Sequence, residues 1–147
     1  MVKMISTRLM TIDDIEHVLE VENSSFPIPW SENAFRKEME ENNLALYVVV
    51  EEKDRVVGYA GMWIIGDEGH ITNVAVHPNC RKKGYGDLLI DKLLNEGDKK
   101  GINAYTLEVR VSNIPAQRLY EKYGFKSVGI RPKYYEDNKE DAMIMWR

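Results

Sequence analysis

Residues 71–109 read in one order: strand, glycine loop, helix, strand. Ile71-Thr72-Asn73-Val74-Ala75-Val76 is apolar and β-branched, and His77-Pro78-Asn79 ends it in a turn. Arg81-Lys82-Lys83-Gly84-Tyr85-Gly86 follows. Then comes a helical pattern with Leu89 and Leu93, and Ile90 and Leu94, on one face. Gly101 stops this helix, and residues 104–109 are strand-like again. Two strands joined through a helix pair in parallel, by a right-handed crossover. That unit predicts an α/β fold.

The glycine loop has a chemistry of its own. The first N–H groups of a helix have no partner within it and carry the positive end of its dipole, so they suit an anion, most often phosphate. Gly84 and Gly86 have no side chains to block an approaching group, and Arg81, Lys82 and Lys83 add positive charge. A nucleotide P-loop needs Gly-Lys-Ser/Thr, whereas Tyr85 follows Gly84 and Asp87 follows Gly86. A dinucleotide fingerprint needs Gly or Ala where this chain has Leu89. Two readings stand on the six residues alone: a pyrophosphate site made of backbone amides, or a solvated basic turn leading into a helix.

The other segments predict the remaining sheet. Residues 4–9 read as a short strand. Thr11 caps a helix with Ile12, Ile15 and Leu19 on one face, which fades near Asn23-Ser24-Ser25. Phe26-Pro27-Ile28-Pro29-Trp30 is not helical, having two prolines so close. Ser31 caps a second helix, with Trp30 packing on Phe35 as a hydrophobic staple. Residues 45–51 and 56–65 are strands joined by a hairpin turn, and Gly66-Asp67-Glu68-Gly69 turns into the strand ending at Val76. Asn113 caps a last helix bearing Ala116, Leu119, Tyr120 and Tyr123 on one face, and Gly124 ends it. Residues 126–130 and 142–146 close the sheet as an antiparallel pair. The expectation is one α/β domain spanning 1–147, with a mixed, mostly antiparallel sheet of about seven strands and about four helices.

Composition excludes several classes. The chain has 147 residues, 44% of them hydrophobic, enough for one core. A net charge of −4 argues against direct binding to nucleic acid. No apolar run reaches the ~20 residues of a membrane span, and residues 1–8 lack the apolar core of a signal peptide. The single cysteine, Cys80, rules out an internal disulfide and reads as a small loop residue. His17, His70 and His77 show no metal-ligand spacing, so no metal is expected. A cytoplasmic protein is the default expectation.

Three blocks occur in a shared order and spacing: Asn73-Val74-Ala75-Val76-His77-Pro78 with the Arg-x-x-Gly-x-Gly loop, Leu107-Glu108-Val109-Arg110-Val111-Ser112-Asn113, and Ala116-Gln117-Arg118-Leu119-Tyr120 through Gly124-Phe125. Together they resemble the GCN5-related N-acetyltransferase (GNAT) superfamily over nearly the whole chain. The resemblance implies the GNAT fold and acetyl-CoA as cosubstrate. It implies that the backbone of Val74, Ala75 and Val76 pairs with the pantetheine arm and polarises the thioester carbonyl. It implies further that Lys82, Lys83, Gly84, Tyr85, Gly86 and Asp87 supply pyrophosphate amides. Asp87 departs from the neutral residue usual there, and its charge opposes phosphate unless it points away or caps the helix. Asn113 can cap its helix and touch the pantetheine arm at once.

Acetyl transfer to an amine needs a base for the amine's proton and benefits from an acid for the departing thiolate. Glu108 sits mid-strand among apolar residues, where partial desolvation favours a base. The residues alone favour the plainer alternative, a strand glutamate paired with a neighbouring lysine or arginine. The resemblance favours the base, since the Leu-Glu-Val-Arg glutamate holds that position in the ribosomal-protein branch. Tyr120, whose ordinary phenol value near ~10 keeps it protonated, is the expected acid. A core tyrosine is the alternative, and only the Leu119-Tyr120 match separates it from Tyr123.

Two segments bear on the acceptor. Phe26-Pro27-Ile28-Pro29-Trp30-Ser31 and Tyr134-Tyr135 with Glu140-Asp141-Ala142-Met143-Ile144-Met145 resemble the bacterial ribosomal-protein alanine N-acetyltransferase (RimI) family. That resemblance implies a protein N-terminus as acceptor, the N-terminal alanine of a small-subunit ribosomal protein. Phe26, Pro27, Trp30 and Tyr134 would form an apolar rim. Glu136, Asp137, Glu140 or Asp141 would attract a basic residue behind the amine. The alternatives are a hydrophobic plug for the first segment and an ordinary solvated turn for the second. At the level of function they are another amine (lysine, polyamine or antibiotic) or a non-catalytic CoA-binding module.

Overall fold

The computed structural model describes residues 4–147, so the first three residues of the segment read as lacking a signal peptide lie outside it. The described residues form β1 (Ile5–Leu9), α1 (Ile15–Ser25), α2 (Glu32–Glu41), β2 (Ala45–Glu52), β3 (Arg55–Ile65), β4 (Glu68–Val76), α3 (Tyr85–Lys99), β5 (Ala104–Arg110), α4 (Ile114–Lys122), β6 (Lys126–Arg131) and β7 (Ala142–Trp146). The strands make one sheet in the order β1-β2-β3-β4-β5-β7-β6. Only β4 and β5 pair in parallel; the other pairs are antiparallel. This is the mixed seven-stranded α/β domain expected, with four α-helices and two short 3-10 turns among the described residues.

Alternation along the strands builds three layers. On β2, Leu46, Val48 and Val50 join Leu89, Ile90 and Leu93 of α3 and Tyr120 of α4 in one core. Tyr47 and Val49, one residue out of phase, join Ile15, Val18 and Val21 of α1 and Phe35 of α2 in the other. The crossover helix is seated by Gly97. The Tyr105 hydroxyl lies 3.0 Å from the Leu94 carbonyl and 2.8 Å from Asp98 Oδ1. A Cβ at residue 97 would fall 2.4 Å from that hydroxyl, so only glycine lets β5 approach α3 so closely.

The first helix departs from expectation. Residues Ile12–Asp14 form a 3-10 turn, and α1 starts at Ile15. Arg8 causes this by gripping both oxygens of Asp14 at 2.8 Å. Three residues per turn instead of 3.6 shift the phase. Ile12 is left 37% exposed, and the buried stripe becomes Ile15, Val18, Val21 and Glu22. No helix among the described residues is long and apolar enough to cross a membrane.

The feature that creates a site is a parting of strands. β4 and β5 pair only at Glu68–Ala104, Gly69–Tyr105 and His70–Thr106. Just beyond, β4 carries a bulge: Met62 faces Ile71 and Gly61 faces Asn73, so Thr72 is the extra residue. A bulge bends a strand and increases its twist. From there β4 stays with β3, β5 stays with β7, and a gap opens in mid-sheet.

Candidate active site

The gap continues into a cleft of about 1790 Å³, which the glycine loop, β4, β5, α4 and the α1–α2 connection line. Past the bulge, Val74, Ala75 and Val76 pair with Ala60, Tyr59 and Gly58 on one side only. The edge facing β5 has no strand partner among the described residues. It is an open backbone ladder within the cleft, suited to an extended chain carrying amide groups.

At the end of β4 the loop is tied down from several sides. Arg81 Nε donates to the Val76 carbonyl (3.0 Å) and its terminal nitrogen to Ser25 Oγ (3.2 Å). The chain then takes left-handed backbone at Lys82 (φ 65°) and Gly84 (φ 82°) before α3 begins. None of the amides from Lys82 to Asp87 donates to a described carbonyl. A run of unpaired N–H groups heading a helix of 15 residues is the amide cradle that a diphosphate fits. Gly86 lets α3 approach α4: a Cβ there would lie 3.2 Å from Leu119.

Side chains of the loop divide their roles. The Tyr85 side chain is buried and its hydroxyl donates to Glu52 at the end of β2, leaving only its amide toward the cleft. Burial and the Glu52 carboxylate push the Tyr85 phenol up to about 12. Lys83 also pairs with Glu52 (3.6 Å). The Tyr85 hydrogen bond, then Lys83, hold the Glu52 carboxyl below its usual range. Asp87 is not a bare charge beside the anion site, because Lys122 Nζ of α4 lies 2.6 Å from its carboxylate.

Glu108 stands in the opening. It lines both the main cleft and a smaller hollow of about 370 Å³ that Thr72, Tyr134 and Tyr135 share. Its side chain is 31% exposed, and Arg131 Nε of β6 lies 3.6 Å from Oε1. The structure therefore combines both sequence readings: the glutamate has an arginine neighbour, yet it faces the gap. Desolvation is only partial.

Tyr120 and Tyr123 are now distinguishable. The Tyr123 hydroxyl donates to the Asp87 carbonyl (3.1 Å). Tyr120 is 8% exposed, lies edge-on to Phe125 at 5.9 Å and lines the cleft. Burial, then neighbouring Tyr135, push its phenol above the ordinary value, so it stays protonated. Asn113 Oδ1 accepts the Ala116 N–H (3.2 Å), and the residue also lines the cleft. Buried Gln117 fastens α4 to the end of β5, donating toward the Arg110 (3.1 Å) and Val111 (3.0 Å) carbonyls.

On the opposite rim, Phe26 and Pro27 line the cleft. Trp30 does not; it stands behind them, packed on Phe35 at 5.2 Å. Its backbone N–H donates to the buried carboxylate of Glu22 (2.9 Å), which also accepts from Tyr59 (2.5 Å). Trp30 is the staple that the residues before α2 suggested, and the structure does not bring it to the rim. Tyr134 is 48% exposed over the smaller hollow. The acidic run is less free than expected, since Asp137 and Glu140 contact Arg110 and Asp141 accepts the Lys133 N–H (2.9 Å). Sequence reading missed Thr72, Glu22, Glu52, Lys122 and the role of Arg110. Of these only Arg110 carried a signal, as the last residue of the Leu-Glu-Val-Arg block.

Comparison with known proteins agrees with this geometry. The profile of the acetyltransferase (GNAT) family matches residues 15–125. A Bacillus subtilis protein, provisionally named a ribosomal protein bS18-alanine N-acetyltransferase, is 45% identical over 96% of this chain and 93% of its own length. The crystal structure of the ribosomal-protein-S18-alanine N-acetyltransferase from Escherichia coli superposes with a TM-score of 0.88 at 32% identity, covering 97% of this chain and 92% of that one. Ard1 from Thermoplasma volcanium superposes with a TM-score of 0.86 at 28% identity, over 97% and 96% of the two chains. With its parted strands, amide cradle and family profile in agreement, the chain belongs to the GNAT family and is an N-acetyltransferase.

Proposed function

We propose that the chain, acting as one domain over 1–147, acetylates protein N-termini, and that its acceptor is the N-terminal alanine of a bS18-type small-subunit ribosomal protein. One observation carries this reading: Glu108 lies in the gap between β4 and β5, shared by the cofactor-side cleft and the hollow beneath Tyr134 and Tyr135. The curated relatives carry this acceptor in their names. Such an acceptor places the enzyme in the cytoplasm, with no part for a metal, nucleic acid or membrane.

Acetyl-CoA supplies a thioester-activated acetyl group. The amides from Lys82 to Asp87 hold its diphosphate, the free edge of Val74, Ala75 and Val76 aligns its arm, and the Asn113 amide adds a donor. Phe26, Pro27 and Tyr134 form the apolar rim around the acceptor. An α-amine has an ordinary pKa near ~8, so a carboxylate suffices to take its proton. Glu108 holds that proton. Tyr120 offers its own at Oη to the departing sulfur, and an N–H on the β4 edge faces the developing oxyanion.

Thiol release tests the acceptor class, using one peptide with a free N-terminal alanine followed by a basic residue and one with a blocked N-terminus and an internal lysine. Turnover with the first alone is expected. Turnover with the second alone would make this a lysine acetyltransferase, and silence with both would point to a small amine. The acid is tested by Tyr120→Phe, expected to slow turnover by about 10²-fold. Because the folded protein holds the phenol's pKa above its ordinary ~10, the wild-type rate should not fall from loss of this proton up to pH ~10. A wild-type rate in Tyr120→Phe would leave solvent as the acid.

A further inference from the structure

The wall of the acceptor hollow, residues 132–141 between β6 and β7, includes left-handed backbone at Lys133 and Lys139 (φ 54° and 59°). Within it run two short backbone bonds, Tyr135 N–H to the Glu140 carbonyl (3.2 Å) and Lys139 N–H to the Tyr135 carbonyl (2.9 Å). What fixes it against the sheet is Arg110, at the end of β5. Its Nη2 donates to both oxygens of Asp137 at 3.0 Å, and its Nη1 to Asn138 (3.2 Å) and Glu140 (3.3 Å). Its guanidinium carbon sits 4.0 Å from the centre of the Tyr135 ring. The second oxygen of Glu140 accepts the Ser112 N–H just past the strand (2.8 Å). The two terminal nitrogens reaching separate carboxylates, with the guanidinium carbon over the Tyr135 ring, are contacts that a single lysine ammonium would not reproduce together.

Two consequences bear on the acceptor. Arg110 lies two residues after Glu108, so both project from the same face of β5. One rigid strand therefore sets both the expected base and the loop opposite it. Tyr135, held under the guanidinium, in turn meets Tyr134 edge-on at 5.1 Å. We propose that Arg110 is a positioning residue for the acceptor: it freezes the 132–141 loop so that Tyr134 stands over the gap beside Glu108. The inference rests on the N-terminal acceptor reading. It predicts that loosening the clamp harms acceptor binding and spares the cofactor side.

Arg110→Gln, assayed with the N-terminal alanine peptide, is expected to raise the peptide KM about tenfold or more while the acetyl-CoA KM stays within about twofold. Arg110→Lys keeps the charge but loses the fork and the flat stack, so it should not restore the peptide KM. An unchanged peptide KM, or a fall in kcat with both KM values unmoved, overturns the proposal. If Arg110→Gln does not fold, Asp137→Asn carries the test: it weakens the two-oxygen arm and should move the peptide KM the same way, and no movement overturns the proposal. If the wild type turns over no N-terminal peptide but acetylates another amine, the acceptor reading has failed, and the proposal, which rests on it, falls too. If the wild type acetylates the peptide and neither variant shifts its KM, the positioning role alone has failed.

Discussion

Glu108→Gln should keep acetyl-CoA affinity and lose turnover by about 10²- to 10⁴-fold, the range for removing a positioned base. Glutamine preserves the shape and the place in the gap, so the cradle and α4 have no reason to move. What disappears is the ability to hold a proton. The defect should depend on pH in a defined direction. Below the ordinary α-amine value near ~8 the acceptor arrives as ammonium and needs the base. Above it, more of the acceptor arrives with a free lone pair, so the ratio of wild-type to variant rates should narrow as pH rises. Arg131, 3.6 Å from Glu108, offers a check on the plainer role. If the glutamate only paired with this arginine across the sheet, Glu108→Gln would lower thermal stability and leave turnover alone. Wild-type turnover in the variant would remove Glu108 from the chemistry and leave water as the base.

The parts legible in the sequence are those where one residue type answers one physical demand. Residues 45–51 were legible as a strand because the run is short, β-branched and followed by a turn, and the structure sends Leu46, Val48 and Val50 to one core and Tyr47 and Val49 to the other. The glycine loop was legible because a left-handed turn that leaves amides open asks for Gly84. Ser31 and Asn113 were legible as caps because each is a short polar residue just before a helical pattern, and each side-chain oxygen accepts the N–H three residues on. What stayed hidden depends on partners distant in sequence. Nothing in Ile71-Thr72-Asn73 announces a bulge, yet the bulge at Thr72 marks where the cleft opens. The phase of α1 differs from the sequence expectation because Arg8 holds Asp14 in a 3-10 turn. Staple and rim share one sequence pattern at Trp30, and packing on Phe35 takes it from the rim. The carboxylates between Glu136 and Asp141 read as free to attract a basic residue, but Arg110, 27 residues from Asp137, takes two of them.

Gly84→Val should reduce CoA affinity by about 10²-fold, as expected if two charge-assisted hydrogen bonds from the cradle are lost. Two effects must be separated. Gly84 has φ 82°, where a β-branched residue is strained by roughly 1–2 kcal/mol. That strain tilts the first turn of α3 and would lower the melting temperature whether or not anything binds. The second effect is obstruction. A Cβ at residue 84 would meet no other described residue within 4 Å, so the protein itself does not exclude a side chain there, and obstruction would be felt only by a bound anion. Gly84→Asn divides the two, since asparagine tolerates left-handed backbone yet still fills that space. Calorimetric titration with CoA should find both variants weak, and thermal melting should find Gly84→Asn nearer the wild type than Gly84→Val. Affinity that followed only the melting temperature would make the loop a structural turn. Affinity unchanged in Gly84→Val would move the diphosphate away from α3 altogether. Loss of affinity in a well-folded Gly84→Asn leaves the open amides from Lys82 to Asp87 as the group that holds the anion, with the lysines around them adding charge and no geometry.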